Sequence, residues 1–282
     1  MKRKIVSILA SFCIAGSAFA FVGCGHEHTF AEDWSKDATH HWHAATCEHT
    51  EEKSDYAEHV DADENGVCDV CSHGAVALIG ETKYSSLETA IAAATANATV
   101  TLYSDIDLAT AISINKKVNI NLNGKTLTVK NDTAGDGVFM VVAGGDLTIN
   151  GDGVVNGVGN NSWNIAIFAN GGKVTINGGT YTNVGAESST NSNGGNTHFD
   201  LIYAKNGGSV VINGGTFKGQ TPAWLLNLHD GTRNTSSIEV KGGNFEGFNP
   251  ANNAAEGEGT NFVADGYTSQ QNGNVWTVVA VA

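Results

Sequence analysis

Only two prolines occur in 282 residues, against 35 glycines. A flexible linker or a helical bundle would not carry that balance, whereas many tight turns between short strands would. Basic side chains are also scarce: 15 Lys and Arg stand against 29 Asp and Glu, a formal charge of −14. A chain this acidic repels phosphate backbones, and with no basic patch to offset the repulsion it is not expected to bind nucleic acid. After Cys24 only Cys47, Cys68 and Cys71 remain, an odd set that argues against a closed disulfide framework. Eight of the 10 histidines precede residue 74. The chain is therefore at least two compositional regions, with ample length for a buried core.

Residues 1–23 read as an address. Lys2, Arg3 and Lys4 form a positive start, and residues 5–22 form an uncharged, largely apolar run ending in Phe21-Val22-Gly23-Cys24. This is the pattern of a secretory signal. Its end resembles a bacterial lipobox, with Phe21 where Leu is usual, and the resemblance implies that Cys24 is lipidated and becomes the membrane-anchored N-terminus. Cleavage after Ala20 would instead release a secreted protein, and an uncleaved span is the third reading.

Residues 24–74 concentrate sulfur and imidazole. Cys68-x-x-Cys71 has the spacing with which two thiolates grip one tetrahedral Zn²⁺, and Cys47 and His59 complete four ligands, with His49 as substitute. The stretch is too polar for a core of its own, so metal binding would explain its folding. A Cys68–Cys71 disulfide or free thiols is the alternative in an oxidising compartment. Overlapping it, Asp61, Asp63, Asn65 and Asp69 occupy relative positions 1, 3, 5 and 9 around Gly66, the front of an EF-hand-like Ca²⁺ loop whose position 12 is Ser72 rather than Glu. A solvated acidic turn explains the same residues. His40-His41-Trp42-His43 reads either as a packed aromatic corner or as a second metal site. Together, residues 28–34, 41–49 and 61–71 resemble a short module of surface proteins from gut Firmicutes and their relatives, which implies a surface address.

From residue 75 the composition turns to Val, Ile, Thr, Asn and Gly, and a repeat emerges. The anchors Asn123, Asn150, Asn177, Asn213 and Lys241 are 27, 27, 36 and 28 residues apart. Four residues beyond each come Leu127, Val154, Tyr181, Phe217 and Phe245, an expected internal ladder. A second set of strands aligns at 138–143, 165–170, 201–206 and 225–230, with Val138, Ile165, Leu201 and Leu225 facing outward beside Met140, Ile167 and Tyr203. Residues 75–282 are therefore expected to form an all-β, parallel β-helix. A β-sandwich would lack such a register-preserving repeat. Ser85 and Glu88 form a capping box, so a short helix over 85–97 should cover the first rung. The stretch from residue 75 through 90–94 to 99–102 and 105–108 resembles the start of the right-handed parallel β-helix modules of pectate-lyase-like domains, which implies a right-handed parallel β-helix for residues 75–282. That resemblance implies a fold more than an activity.

Superposed rungs place Asn170, Asn206 and Asp230 in one column and Ala169, Lys205 and His229 in the next. Asp200, Lys205, His229, Asp230 and Arg233 then form the candidate catalytic set, and Trp163, Tyr203 and Trp224 the candidate carbohydrate-stacking set. A polysaccharide lyase needs a base and a cation, and a glycoside hydrolase needs two carboxylates. Pectate lyases carry several calcium carboxylates and a catalytic arginine, a pattern this chain does not show. Solvated loop charges explain the set equally. The insertions 186–198 and 250–260 have lengths common in functional loops. The leading expectation is a non-catalytic surface lipoprotein whose β-helix binds a polysaccharide or host-surface glycan, with Zn²⁺ and Ca²⁺ as candidate ions. An acidic-glycan lyase or hydrolase and a structural spacer are the alternatives, and self-association into a homo-oligomer is compatible with the fold.

Overall fold

A computed structural model describes residues 27–129, 137–158, 164–186, 199–253 and 255–281. The lipidation candidate Cys24, the stacking candidate Trp163 and nearly all of the insertion 186–198 lie outside the described residues. The chain divides into two compact units, Met1–Glu58 and His59–Ala282. The division falls ahead of the composition change at residue 75. Residues 59–74 belong with the second unit: Ser85 donates from Oγ to the Asn65 carbonyl at 2.7 Å, and the Lys83 ammonium donates to the Ser72 hydroxyl.

The first unit is a three-stranded antiparallel sheet of Phe30–Lys36, His40–Ala45 and Lys53–Glu58, in that order. Its faces are held by rings more than by aliphatic side chains. Trp34 stacks on His43 with centroids 3.9 Å apart, His40 stacks on Tyr56 at 4.7 Å, and the Lys53 ammonium sits 3.8 Å over the Trp42 ring. These contacts are those of an aromatic corner, and His41 of the His-His-Trp-His run is also among the residues that could serve as a metal ligand.

The second unit is mostly β, and its sheets are mainly parallel. One ladder runs Thr99–Leu102, Lys117–Asn121, Asp146–Asn150, Lys173–Ile176, Ser209–Ile212 and Ser237–Val240. A second runs Ile106–Leu108, Lys125–Val129, Gly153–Gly157, Thr180–Thr182, Thr216–Lys218 and Gly243–Glu246. A third runs Ile112–Ile114, Phe139–Val142, Ile167–Asn170, Ile202–Lys205 and Leu226–Leu228. The chain visits first, second and third in the same order on each circuit, so every strand pairs with its counterpart one circuit away.

Alternation within each strand sends one set of side chains inward. In the second ladder that column is Leu127, Val155, Tyr181, Phe217 and Phe245, each fully buried. Val155, not the expected Val154, fills the column. The aromatic members stack nearly parallel, Tyr181 on Phe217 at 5.2 Å and Phe217 on Phe245 at 4.7 Å. On the first ladder the repeat's asparagines bond along the column: Asn177 donates to Asn150 and Asn213 to Asn177, each at 2.8 Å. Asn121, rather than Asn123, pairs with Asn150. Asn123 instead turns the chain at φ 51° and donates to the Leu102 carbonyl.

The third ladder corrects two expectations by one residue. Asn170 pairs with Lys205, and Ala169 with Ala204, which in turn pairs with Leu228. The expected step from Ala169 to Lys205 therefore does not form, whereas the offset of 24 residues that sets Ala204 opposite Leu228 is the one expected between Lys205 and His229, and Asn206 still donates its side-chain amide to Asn170 at 2.8 Å. Val138, Ile167, Leu201 and Leu225 point into the main core, and the outer face carries Phe168 and Tyr203, clustered with Ile165 and Met140. The missing residue is taken up at Asn206, whose φ of 55° turns the chain before Gly207.

The first ladder begins, and the second ladder ends, with an antiparallel hairpin. The hairpin Ala77–Ile79 and Thr82–Tyr84 pairs through Ala77 with Leu102, and the hairpin Tyr267–Asn272 and Val275–Ala280 pairs with Gly243–Glu246. The expected helix is present as Leu87–Ala93, burying Leu87, Ala90 and Ile91. Its cap is Ser86, which accepts from the Thr89 N–H, and not Ser85.

Candidate functional site

The charged residues singled out from sequence separate into a buried network and an exposed remainder. Asp200 precedes a third-ladder strand and is 7% exposed, accepting from the Asn227 side-chain amide at 2.7 Å. Burial pushes its carboxyl up to about 7, with the Asn227 bond opposing and the nearby Glu256 charge reinforcing the shift. Glu256 is absent from the sequence candidates. Its carboxylate receives Arg233 Nη2 at 2.5 Å and the Leu228 N–H at 3.2 Å, while Arg233 Nη1 donates to the Glu256 carbonyl at 2.9 Å. Burial raises the Glu256 carboxyl, and the Leu228 N–H and Arg233 oppose that. Asp230 lies 3.4 Å from Arg233, with its side chain in solvent.

His229 shares a contact of 3.2 Å between Nδ1 and the Thr232 hydroxyl, and its ring meets Tyr203 edge-on at 6.4 Å. Tyr203 is 7% exposed and packs against Phe168, so it is a poor platform for a sugar. Burial, then Asp200, Asp230 and Glu256, hold its phenol in the neutral form. Trp224 is half-buried in the turn Pro222–Trp224. Lys205 lies opposite Asn170 in the third ladder. The structure thus brings Arg233 and Asp230 together and adds Glu256. It gives Arg233 an internal partner, Glu256, beside the exposed Asp230.

A different surface is repeated and open. At the passage from the first ladder to the second, Thr180, Thr216 and Asn244 pair in register and form one polar column beside the buried Tyr181, Phe217 and Phe245. With Asp152 and Asn177 they line a shallow trough of about 490 Å³ floored by glycines. Stacking dictates those glycines. A Cβ on Gly215 would stand 2.9 Å from the Gly179 carbonyl oxygen, so no side chain fits between successive turns. Asp152, Asn177, Thr216 and Asn244 are exposed.

Sulfur and imidazole groups gather separately in each unit. In the second unit the ligand atoms of His59, Cys68 and Cys71 lie within 4.8 Å of one another, and Cys71 Sγ is 3.4 Å from His59 Nδ1. Both cysteines are buried thiols, and His73 stacks on His59 at 4.3 Å. Burial disfavours the Cys68 thiolate, but the N–H groups of Cys71, Val60 and Val70 and the Cys71 thiol outweigh it and bring the thiol down to about 6. In the first unit His28, Cys47 and His49 form a group of the same span. The expected set of Cys47, His59, Cys68 and Cys71 draws on both units, whereas each unit supplies its own group. Either group could hold a metal ion.

The expected Ca²⁺ loop is a hydrogen-bonded turn. Asp61 accepts from the N–H groups of Asn65 and Gly66 at 3.0 and 2.8 Å, Asp63 from the Asn65 amide at 2.9 Å, and Asp69 from the Ala62 N–H at 2.9 Å. These carboxylates do not join a metal-spaced group among the described residues. Among those residues, too, no helix is long and apolar enough to cross a membrane. Comparison of the chain with family models, curated proteins and solved structures returned no match.

Proposed function

We propose that residues 75–282 form a right-handed parallel β-helix, displayed at the bacterial surface through a lipid on Cys24, that binds a polysaccharide without cleaving it. The polar column Thr180, Thr216 and Asn244 carries this reading. Strands stacked about 4.8 Å apart repeat the same hydroxyl and amide donors along a line, which suits a polymer of repeated hydroxyls better than a single small molecule. The buried state of Asp200 and the engagement of Arg233 by Glu256 support binding over turnover. In this reading Zn²⁺ sits at His59, Cys68 and Cys71 and pins residues 59–74. The test is retention of the full chain on immobilised acidic and neutral polysaccharides, with reducing ends and unsaturated products followed in parallel. Retention without products is expected; products without retention would overturn the reading.

A second reading is favoured by one observation. Burial pushes the Asp200 carboxyl up to about 7, while the neighbouring Glu256 carboxylate is paired with Arg233 at 2.5 Å, so the two carboxyls sit in the contrasting environments that an acid and a base need. A polysaccharide lyase or hydrolase built on them would lose its products with Asp200→Asn at unchanged retention.

A further inference from the structure

We propose that His28, Cys47 and His49 form a metal site of their own, with three protein ligands and a fourth position left for an exchangeable ligand. It is independent of the site at His59, Cys68 and Cys71. The antiparallel register builds it. Phe30 pairs with Ala45, and the pairing continues outward through the Thr46 N–H donating to the Thr29 carbonyl at 2.7 Å and through the two threonine hydroxyls, also 2.7 Å apart. One step further the same register sets His28 opposite Cys47. Nδ1 of His28 lies 3.6 Å from Cys47 Sγ. Metal–nitrogen and metal–sulfur legs of about 2.0 and 2.3 Å place two tetrahedral ligands roughly 3.5 Å apart, so this pair already has the required separation.

His49 supplies the third ligand. Its ring lies 5.2 Å from that of His28. The turn behind it is closed by the Glu52 N–H donating to the His49 carbonyl at 3.1 Å. All three ligand atoms fall within 4.8 Å, and all three residues are half-buried rather than enclosed. Two imidazoles and one thiolate select a thiophilic first-row divalent ion, zinc or its spectroscopic surrogate cobalt, over magnesium or calcium. Three ligands at a half-buried position leave the fourth to water or a small anion, as in sites that exchange ligands.

The test is titration of the reduced, chelator-stripped full chain with Co²⁺, whose thiolate charge-transfer and ligand-field bands report sulfur ligation and coordination number. Cys47→Ser and His28→Ala should each remove one equivalent of bound Co²⁺. Cys71→Ser should leave that equivalent in place, whether or not it loses another. Azide should shift the ligand-field bands of Cys71→Ser, and the shift should vanish in the Cys47→Ser/Cys71→Ser double variant. Near-ultraviolet circular dichroism of Trp34, stacked on His43 in the same sheet, verifies that each variant is folded. Undiminished stoichiometry in folded Cys47→Ser, or an azide response that survives in the double variant, would overturn the proposal. Loss with Cys71→Ser alone would place the metal solely at the other group.

Discussion

Arg233 holds Glu256 at two points, its side-chain carboxylate and its own backbone carbonyl, at 2.5 and 2.9 Å. The pair ties the insertion at 250–260 to the end of the turn Asp230–Thr232, which Arg233 caps. The Glu256 side chain is 1% exposed and that of Arg233 35%. Removing the arginine therefore strands a charge that water cannot reach.

Arg233→Ala should cost about 2–3 kcal/mol in urea unfolding, below the usual loss for a fully buried pair because the guanidinium is partly wet. Glu256→Gln should cost less, since the amide oxygen still accepts from Leu228 and Arg233 and no unpaired charge stays buried. Equal stability of all three proteins would show that the contact contributes nothing.

Asp200 makes stability depend on pH in an unusual direction for a carboxylate. Its folded pKa, about 7, lies above an unfolded value of about 3.9. Below pH 4 both states hold the proton and the group is neutral in its effect. Between pH 4 and 7 the unfolded chain ionises first, so this group lowers stability as pH rises, by up to ~4 kcal/mol at the end of the window. Asp200→Asn keeps an oxygen for the Asn227 amide and has no proton to lose. It should match the wild type near pH 4 and exceed its melting temperature at pH 8. A constant difference across that range would contradict the assignment.

Phe217 lies between Tyr181 and Phe245 in the buried stack, with a ring on each side. Phe217→Ala should cost about 3–5 kcal/mol, and Phe217→Leu distinctly less, measured by denaturant unfolding. Identical losses would mean that the site collapses around either residue.

The stack is legible in the sequence because hydrophobic period and repeat coincide there: Tyr181, Phe217 and Phe245 each stand four residues beyond an anchor. The third ladder, by contrast, reads one residue out. Its strands are offset by 35 residues between Ile167 and Ile202, while the first ladder is offset by 36 between Lys173 and Ser209. A turn at Asn206 absorbs the difference, and nothing in an Asn-Gly-Gly string says which residue adopts the left-handed backbone. At the candidate site, Arg233 and Asp230 stand out as charges. Glu256 does not, since it comes 23 residues later in an irregular Asn- and Gly-rich loop with no period to mark its side chain. His28 becomes readable as a partner of Cys47 only once the hairpin register is known.

Close stacking also separates glycines that look alike. A Cβ on Gly208 would stand 2.0 Å from the Ala169 carbonyl oxygen, whereas one on Gly266, at φ +80°, meets nothing within 4 Å. Gly208→Ala must shift backbone on the neighbouring circuit and should be the more destabilising by several-fold. Gly266→Ala should cost about 1 kcal/mol, the strain of a left-handed alanine. Comparable chemical denaturation midpoints would contradict the stacking geometry.

The most direct test of polymer binding along the polar column is the Thr216→Arg variant, which places a long cation across the trough at an exposed position while leaving Phe217 and the core untouched. Its retention should be measured against the wild type on a neutral polysaccharide that retains the wild type. The account predicts at least a tenfold loss of retention with unchanged melting temperature. Undiminished retention by a folded Thr216→Arg protein would place the binding surface elsewhere and contradict it.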